Sequence, residues 1–484
     1  MPTVRATVSR ALVALWLCST PMATQMSAQT ADPSADPDVQ AAIRLFSSWI
    51  EGQIRYRELP GVAVGVVADQ RLVWARGFGL ADLASKRPMT PATKFRMASH
   101  SKLFTATAIM QLREQGKLQL DDPVAKYLPW FRVKSAAPDD PPITIEELLT
   151  HSSGLPREAG AHWTTWEFPT REELVRLIPE RQAAFSPETR WKYSNLAYTV
   201  AGMVIEAVSG ESWASYVGKQ IFAPLGMAGS SVDRDVPDLA TGYSVRRPGQ
   251  ARSVIPFVDA RGMAAATGIT SSVEDMARFV SAQFRTGPRG GDRILSTASL
   301  REMHRVRMLE STWTRGQGIG FSVSREDGQI YIGHGGGYPG YTTNTSIELA
   351  SKVGVIVLTN TNDSDPGDIA DQLMSTVGAA VAKATAAKPA VVAWNPAWAR
   401  FAGRYRSAQG SETEVVLLNQ RLVIFYPEGR SASNTTGLEP IGDGLFRMVA
   451  PTGGGPVGEV VRFVEENGQV VRMITGDSFV DRVR

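Results

Sequence analysis

The sequence predicts an α+β chain in two layers, with one antiparallel sheet flanked by helices, a helical subdomain beside it and a small all-β domain after it. Three observations carry this prediction. Strand-like runs lie at both ends of a long first segment, at 61–78 and 329–359, and the stretch between them is helical in pattern. Short strands with turn residues between them return after residue 397. The 484 residues leave room for two or three domains, and ordinary hydrophobic (43%) and charged (20%) shares exclude a disordered or low-complexity chain.

Taken in order, residues 1–28 read as a leader: Arg5 and Arg10 precede the apolar run Ala11–Leu17, and the small residues Ser27 and Ala28 follow. This is the three-part pattern of a secretory signal peptide, too short to span a membrane. Cleavage near Ala28 and a periplasmic or secreted protein are expected. Residues 29–44, polar and Pro-containing as far as Asp38, are expected to form a spacer. The single cysteine, Cys18, falls in the leader, and bulky Trp16 and Leu17 beside it argue against lipid attachment. The cleaved chain then has no thiol and no disulfide. No other apolar run approaches the ~18 residues of a membrane span.

The runs Gly61–Val67 and Leu72–Phe78 flank Asp69–Gln70–Arg71 and predict a β-hairpin. Ser99 opens a helical run through Leu103, Ala106, Ile109, Met110 and Leu112 that stops at Gly116. Thr144 before Ile145–Leu149, Thr170 before Arg171–Ile178, and Ser271 with Glu274, closed by Gly287, mark further helices. Strands are expected at Gln329–Gly333, Tyr341–Glu348 and Val353–Thr359, and a closing helix at Ile369–Val381. After the Ala- and Pro-rich linker 386–396, Glu414–Leu418 and Leu422–Tyr426 flank Asn419–Gln420, and Val460–Val464 and Val470–Met473 flank Asn467–Gly468, a type I′ turn pair. The main domain is placed at 45–385 and the all-β domain at 397–484.

Formal net charge is +3, and removing Arg5 and Arg10 with the leader leaves about +1. Basic residues are scattered rather than blocked, which excludes nucleic acid as the expected partner. A small molecule or a short peptide or ester suits the chain better, and nothing signals an oligomeric state.

Three residue sets carry chemistry. Ser99–His100–Ser101–Lys102 is an S-x-x-K whose spacing puts Ser and Lys on one face of a helix, one turn apart. The start of that helix adds unpaired N–H groups where an oxyanion can develop. Tyr193–Ser194–Asn195 precedes the helical run Leu196–Val208. The phenol becomes a base if the Lys102 ammonium lowers its pKa, and Asn195 offers a hydrogen bond to a substrate carbonyl. His334–Gly335–Gly336–Gly337 ends a strand pattern, and glycines there let an extended substrate approach the backbone. An N-cap, a loop tyrosine and a glycine-rich turn are the plain structural readings of the same three sets.

Together, their order, spacing and context resemble the serine β-lactamase and DD-peptidase superfamily, in its class C-like branch, peptidase family S12. The resemblance covers most of 45–385 and includes Leu148–Leu149–Thr150–His151–Ser152–Ser153–Gly154–Leu155, Pro224–Leu225–Gly226–Met227 and Leu358–Thr359–Asn360. It implies a β-lactamase/transpeptidase-like fold and a serine hydrolase that needs no metal or organic cofactor. In that scheme Ser99 is the acylated nucleophile, and Lys102 and Tyr193 share the proton transfers, either being the base. Asn195, His334, Gly335 and Gly336 bind substrate, and the backbone N–H groups of Ser99 and Gly337 form the oxyanion hole. The all-β domain resembles the lipocalin-like extensions of some members.

His334 departs from the Lys-Thr-Gly of class C β-lactamases: a permanent cation gives way to an imidazole that is mostly neutral at pH 7, and Gly335 removes a hydroxyl. Small amide or ester substrates therefore rank above penicillins. The rival readings are a true class C-like β-lactamase and, from another class, a non-catalytic cell-wall or partner-binding module. His100 is either a gatekeeper or a residue turned away from the Lys102 face. His151, His162 and His304 lack metal-ligand spacing and read as structural or solvated. Trp163 and Trp166 either line a cleft or pack.

Overall fold

The structure, a computed structural model, describes residues 32–232, 236–285, 294–386, 395–427, 435–442, 444–449 and 457–483. The expected leader, the helix stop at Gly287 and most of the expected linker lie outside the described residues. Contacts divide the chain into one unit ending at Ala386 and another beginning at Ala387.

Gly61–Ala68 is apolar at every position and is buried along its whole length, as a strand covered on both faces must be. It pairs antiparallel with Arg71–Asp82 through the expected hairpin and, on its other edge, with Val353–Thr359. The complete sheet has nine strands in the order 87–88, 71–82, 61–68, 353–359, 341–348, 329–338, 322–326, 315–317, 308–309. On one face Val62, Val64, Val355 and Val357 pack against Phe46 and Ile50 of one helix and Ile369, Leu373 and Val377 of another. On the other face Ala63, Val67, Ile356 and Leu358 join a larger core with Phe104, Phe279 and Val280. The helix Val273–Gln283 lies so close here that a Cβ at Gly65 would come within 2.5 Å of Val273, and one at Gly354 within 2.5 Å of Val280. At roughly 1.5–3 kcal/mol per fully buried aliphatic side chain, this two-sided burial is a main source of the sheet's stability.

Several expectations need correcting. Residues 29–44 do not form a spacer throughout: Asp36 accepts hydrogen bonds from the N–H groups of Asp38 and Val39, Pro37 sits at the first helical position, and a helix runs from Pro37 to Arg57. Its Val39, Phe46 and Ile50 are buried, a periodicity masked by the polar residues between them. The capping boxes at Thr144 and Thr170 are present. The third helix is instead capped by Ser272, which accepts from the Asp275 N–H, because Ser271 is committed to pairing with Phe95. The glycine run does not end its strand, which continues from Gln329 to Tyr338. The closing helix starts at Pro366 and passes through a π turn at Met374–Gly378 before ending at Thr385.

The second unit is a closed barrel of eight strands in sequence order. Asn467 (φ 51°) and Gly468 (φ 77°) both take the left-handed conformation of a type I′ turn, and Asn419 (φ 49°) and Gln420 (φ 59°) do the same. Its interior is filled rather than hollow: Phe401 stacks on Phe463 at 4.6 Å and Phe446 meets both edge-on.

Candidate active site

Ser99 stands on a single 3-10 turn, Ala98–His100, that leads into the helix Ser101–Glu114. Between Phe95 and Leu112 it is the one residue that is not buried. Ala98 holds φ at 52°, a left-handed conformation that costs a residue with a Cβ about 1–2 kcal/mol. The turn is pinned from several sides. Ser101 Oγ donates to Ala98 O at 2.8 Å and accepts from the Ile269 N–H at 3.0 Å, while the Met97 N–H donates to Ile269 O at 2.8 Å. His100 is turned away from the Lys102 face and supports the turn from behind: it is fully buried, with Nε2 2.9 Å from Thr345 Oγ1 and Nδ1 3.1 Å from Thr343 Oγ1. Burial lowers its pKa to about 4, so a neutral ring ties the nucleophile's turn to the strand Tyr341–Glu348.

Lys102 and Tyr193 converge on Ser99 as expected. Tyr193 donates its hydroxyl proton to Ser99 Oγ at 2.7 Å, and Lys102 Nζ lies 3.1 Å from the same oxygen. Nζ is also 2.7 Å from Asn195 Oδ1 and 3.0 Å from Ala266 O. Those two oxygens only accept, so each holds one of the amine's N–H bonds and together they aim Nζ at Ser99. Lys102 is fully buried, and burial drives its pKa well below the usual lysine value; Glu158 opposes this and Arg157 adds to it. The phenol moves the other way from the expectation: burial pushes Tyr193 up to about 12, against its hydrogen bond with Ser99 and the Arg157 charge. The acidification expected from a Lys102 ammonium does not prevail. The arrangement is an amine whose burial favours its neutral, proton-accepting form and a phenol held in its proton-giving form.

Asn195 needs a second correction. Only 1% exposed, it spends Oδ1 on Lys102, and its Nδ2 donates to Glu158 Oε1 at 2.5 Å, so it positions the lysine. Glu158 in turn accepts from His162 Nε2 at 2.9 Å, completing a chain of groups from Ser99 to His162. Sequence reasoning missed Glu158, which lies in a loop without periodicity; its only signal is the spacing of four to His162.

The Tyr193 segment is laced to the segment 151–158. The Ser194 N–H donates to His151 Nδ1 at 3.2 Å, Ser194 Oγ donates to Pro156 O at 2.7 Å, and the Asn195 N–H donates to Arg157 O at 3.0 Å. The His151 ring lies 4.4 Å from the Tyr193 ring. These contacts make His151 and the Ser194 N-cap the supports that hold the phenol in place. His162 and His304 are buried and hydrogen-bonded rather than solvated.

On the opposite side runs the strand Gln329–Tyr338. Its neighbour Ser322–Glu326 pairs with it only as far as Gly333, so from His334 onward one edge carries no strand. His334 is buried, its Nδ1 sits 2.6 Å from Gly335 O, and burial with the nearby Lys102 and His100 lowers its pKa to about 3. At Gly336 a Cβ would come within 2.3 Å of Thr343 Oγ1 and 2.6 Å of Met97 O, so the missing side chain lets the strand pack closely against the Ser99 turn. Gly337 faces open space and Gly335 is exposed. Trp163 packs among Phe168 and Tyr338, and Trp166 is exposed. A cleft of about 660 Å³ reaches this strand at Trp191, His334 and Gly335, but it extends across the sheet beside Asp371 and Ser99 does not line it. The groups around Ser99, not that cleft, therefore define the site.

The chain is similar to known proteins. Residues 46–378 match the Beta-lactamase family. The chain is 27% identical to a penicillin-binding protein of Bacillus subtilis (strain 168) over 378 residues, covering 73% of this chain and 81% of that one. It is 30% identical to the esterase EstB of Burkholderia gladioli over 331 residues, covering 61% and 83% respectively. The octameric penicillin-binding protein homologue from Pyrococcus abyssi superposes with a TM-score of 0.63 at 26% identity, covering 90% of this chain and 99% of that one.

Proposed function

Because the chain belongs to the Beta-lactamase family, whose members include serine hydrolases, we propose that it cleaves small amides or esters through an acyl-enzyme on Ser99. The observation that carries this reading is the position of Ser99 Oγ, 2.7 Å from the Tyr193 hydroxyl and 3.1 Å from Lys102 Nζ, on an accessible turn. In the first step Oγ attacks the carbonyl carbon and its proton passes to the Lys102 lone pair. The oxyanion is taken by the backbone N–H groups of Ser99 and Gly337. As the C–N or C–O bond breaks, Tyr193 protonates the leaving amine or alcohol, and Lys102 returns a proton to it. Water then attacks the ester and the same groups restore Ser99.

Peptide and ester substrates rank above β-lactams because a neutral His334 and the hydroxyl-free Gly335 put no cation or donor side chain on the strand to hold a ring carboxylate. The esterase relative supports the same choice. Export belongs to the proposal too, and a protein recovered from the periplasm or medium with its N-terminus just after Ala28 would support it. The deciding test is intact-mass analysis after p-nitrophenyl acetate, a fluorophosphonate and a penicillin, with Ser99→Ala beside the parent. The expected result is a covalent mass gain absent from the variant. A folded parent that no reagent labels would overturn the reading in favour of a binding module.

A further inference from the structure

Arg157 stands at the mouth of the site without a full-time partner. Its backbone is fixed, since Arg157 O accepts from the N–H groups of Asn195 (3.0 Å) and Leu196 (3.2 Å) at the start of the helix Asn195–Ser209. Its side chain is 63% exposed, and the guanidinium carbon lies 5.0 Å from the centre of the Tyr193 ring, so one phenol separates it from the nucleophile. The nearest carboxylate, Glu158, approaches only Nε, at 3.5 Å, because its oxygens are occupied by Asn195 and His162. Among the described residues, no hydrogen bond engages the two terminal amino groups of the Arg157 fork.

Glu158 balances this charge only while also serving Asn195 and His162. Lys192, one residue before Tyr193, is a second cation, and burial together with Arg157 lowers its pKa. The two like charges repel each other, and an anion bound beside Arg157 would relieve that repulsion. The planar fork of Arg suits a carboxylate, which it can hold with two parallel N–H···O bonds. The strand side of the site, by contrast, offers a neutral His334 and Gly335.

We propose that Arg157, with Lys192 beside it, is a carboxylate anchor, and that the preferred substrates are esters or amides carrying a carboxylate near the bond that Ser99 attacks. This rests on the hydrolase reading above and goes beyond it by naming the charge of the substrate and the residue that selects it. The carboxylate would bind on the Tyr193 side of the nucleophile rather than on the glycine strand.

The test compares matched pairs of substrates. For a charge on the acyl group, p-nitrophenyl hydrogen glutarate is set against p-nitrophenyl valerate; for a charge on the leaving group, 4-acetoxybenzoate against phenyl acetate. Each kcat/KM is measured in the parent, Arg157→Gln and Arg157→Lys, at low and at 0.5 M salt, with Ser99→Ala as the background. The expected result is a charged-to-neutral ratio, in one of the two pairs, that falls about tenfold in Arg157→Gln, the size of one charged hydrogen-bond contact. The ratio is partly restored in Arg157→Lys, and salt lowers it in the parent. A purely structural role for Arg157 would move both members of a pair together and leave the ratio unchanged. Ratios unaltered within twofold in both pairs overturn the anchor. Neutral-ester turnover that survives Ser99→Ala overturns the hydrolase reading instead.

Discussion

Around Ser99 the first unit buries a lysine, three histidines and an asparagine, whereas the barrel interior is Phe401, Tyr405, Phe446, Phe463 and aliphatic residues, with Thr413 the only buried non-aromatic polar side chain among its described residues. Buried polar and ionisable groups cost stability even when hydrogen-bonded, and an isolated buried charge costs far more. A chain keeps them where chemistry uses them. The barrel carries little of that cost and stabilises itself by aromatic packing; burial holds its interior Tyr405 protonated, with a pKa raised to about 12. The difference teaches where substitutions will be felt: as lost turnover near Ser99, as lost stability in the barrel.

The sharpest way to break this comparison is Lys102→Ala, expected to lower kcat on p-nitrophenyl acetate by about 10³-fold or more, since it removes the proton acceptor of a covalent mechanism. A loss under tenfold would mean that the buried amine is structural after all. Next in size is Phe446→Ala, expected to cost the barrel about 3–5 kcal/mol, read by urea unfolding. Ester kcat/KM at 25 °C should stay within about twofold, because every group assigned to the reaction lies in the other unit. A matching fall in kcat/KM would show that the two interiors are not independent in function.

The smallest effect sharpens the electrostatic side. Lys102 must be neutral to accept a proton, so activity should fall as pH drops through its lowered pKa. Glu158 raises that pKa and Arg157 lowers it. Glu158→Gln should therefore move the acid limb of the kcat/KM profile to lower pH and Arg157→Gln to higher pH, each by up to about one unit. Tyr193, held near 12, must stay protonated, so it adds no alkaline limb below that value. Shifts of the same sign in both variants would refute the assignment of Lys102 as the base.

Much of this was legible in the sequence because residue types and spacings report local geometry directly. Ser99 and Lys102 are one helical turn apart, alternating and continuous apolar runs marked the hairpin and the central strands, and Asn467–Gly468 announced its turn. What stayed hidden depends on contacts between distant segments. Glu158 matters through Asn195, and nothing local says so. The inversion of the Lys102 and Tyr193 pKa values comes from burial, which a motif does not encode. The close packing that requires Gly336 to lack a side chain comes from Thr343 and Met97, which no local pattern announces. Barrel strands such as Thr435–Gly442 carry Gly437 and Pro440, residues that disguise a strand. The left-handed Ala98 left no trace at all, since alanine is a residue that ordinarily avoids that conformation.

Closure of the barrel has a consequence for how this chain behaves in company. Every strand of an open sheet's border presents a row of free amide and carbonyl groups, a template on which a second molecule can add itself, and an all-β appendage is especially exposed to that hazard. By joining its eighth strand to its first, the second unit leaves no such border among its described residues. Self-association or partner recognition by this unit, where it occurs, then runs through side chains and loops rather than through a strand edge.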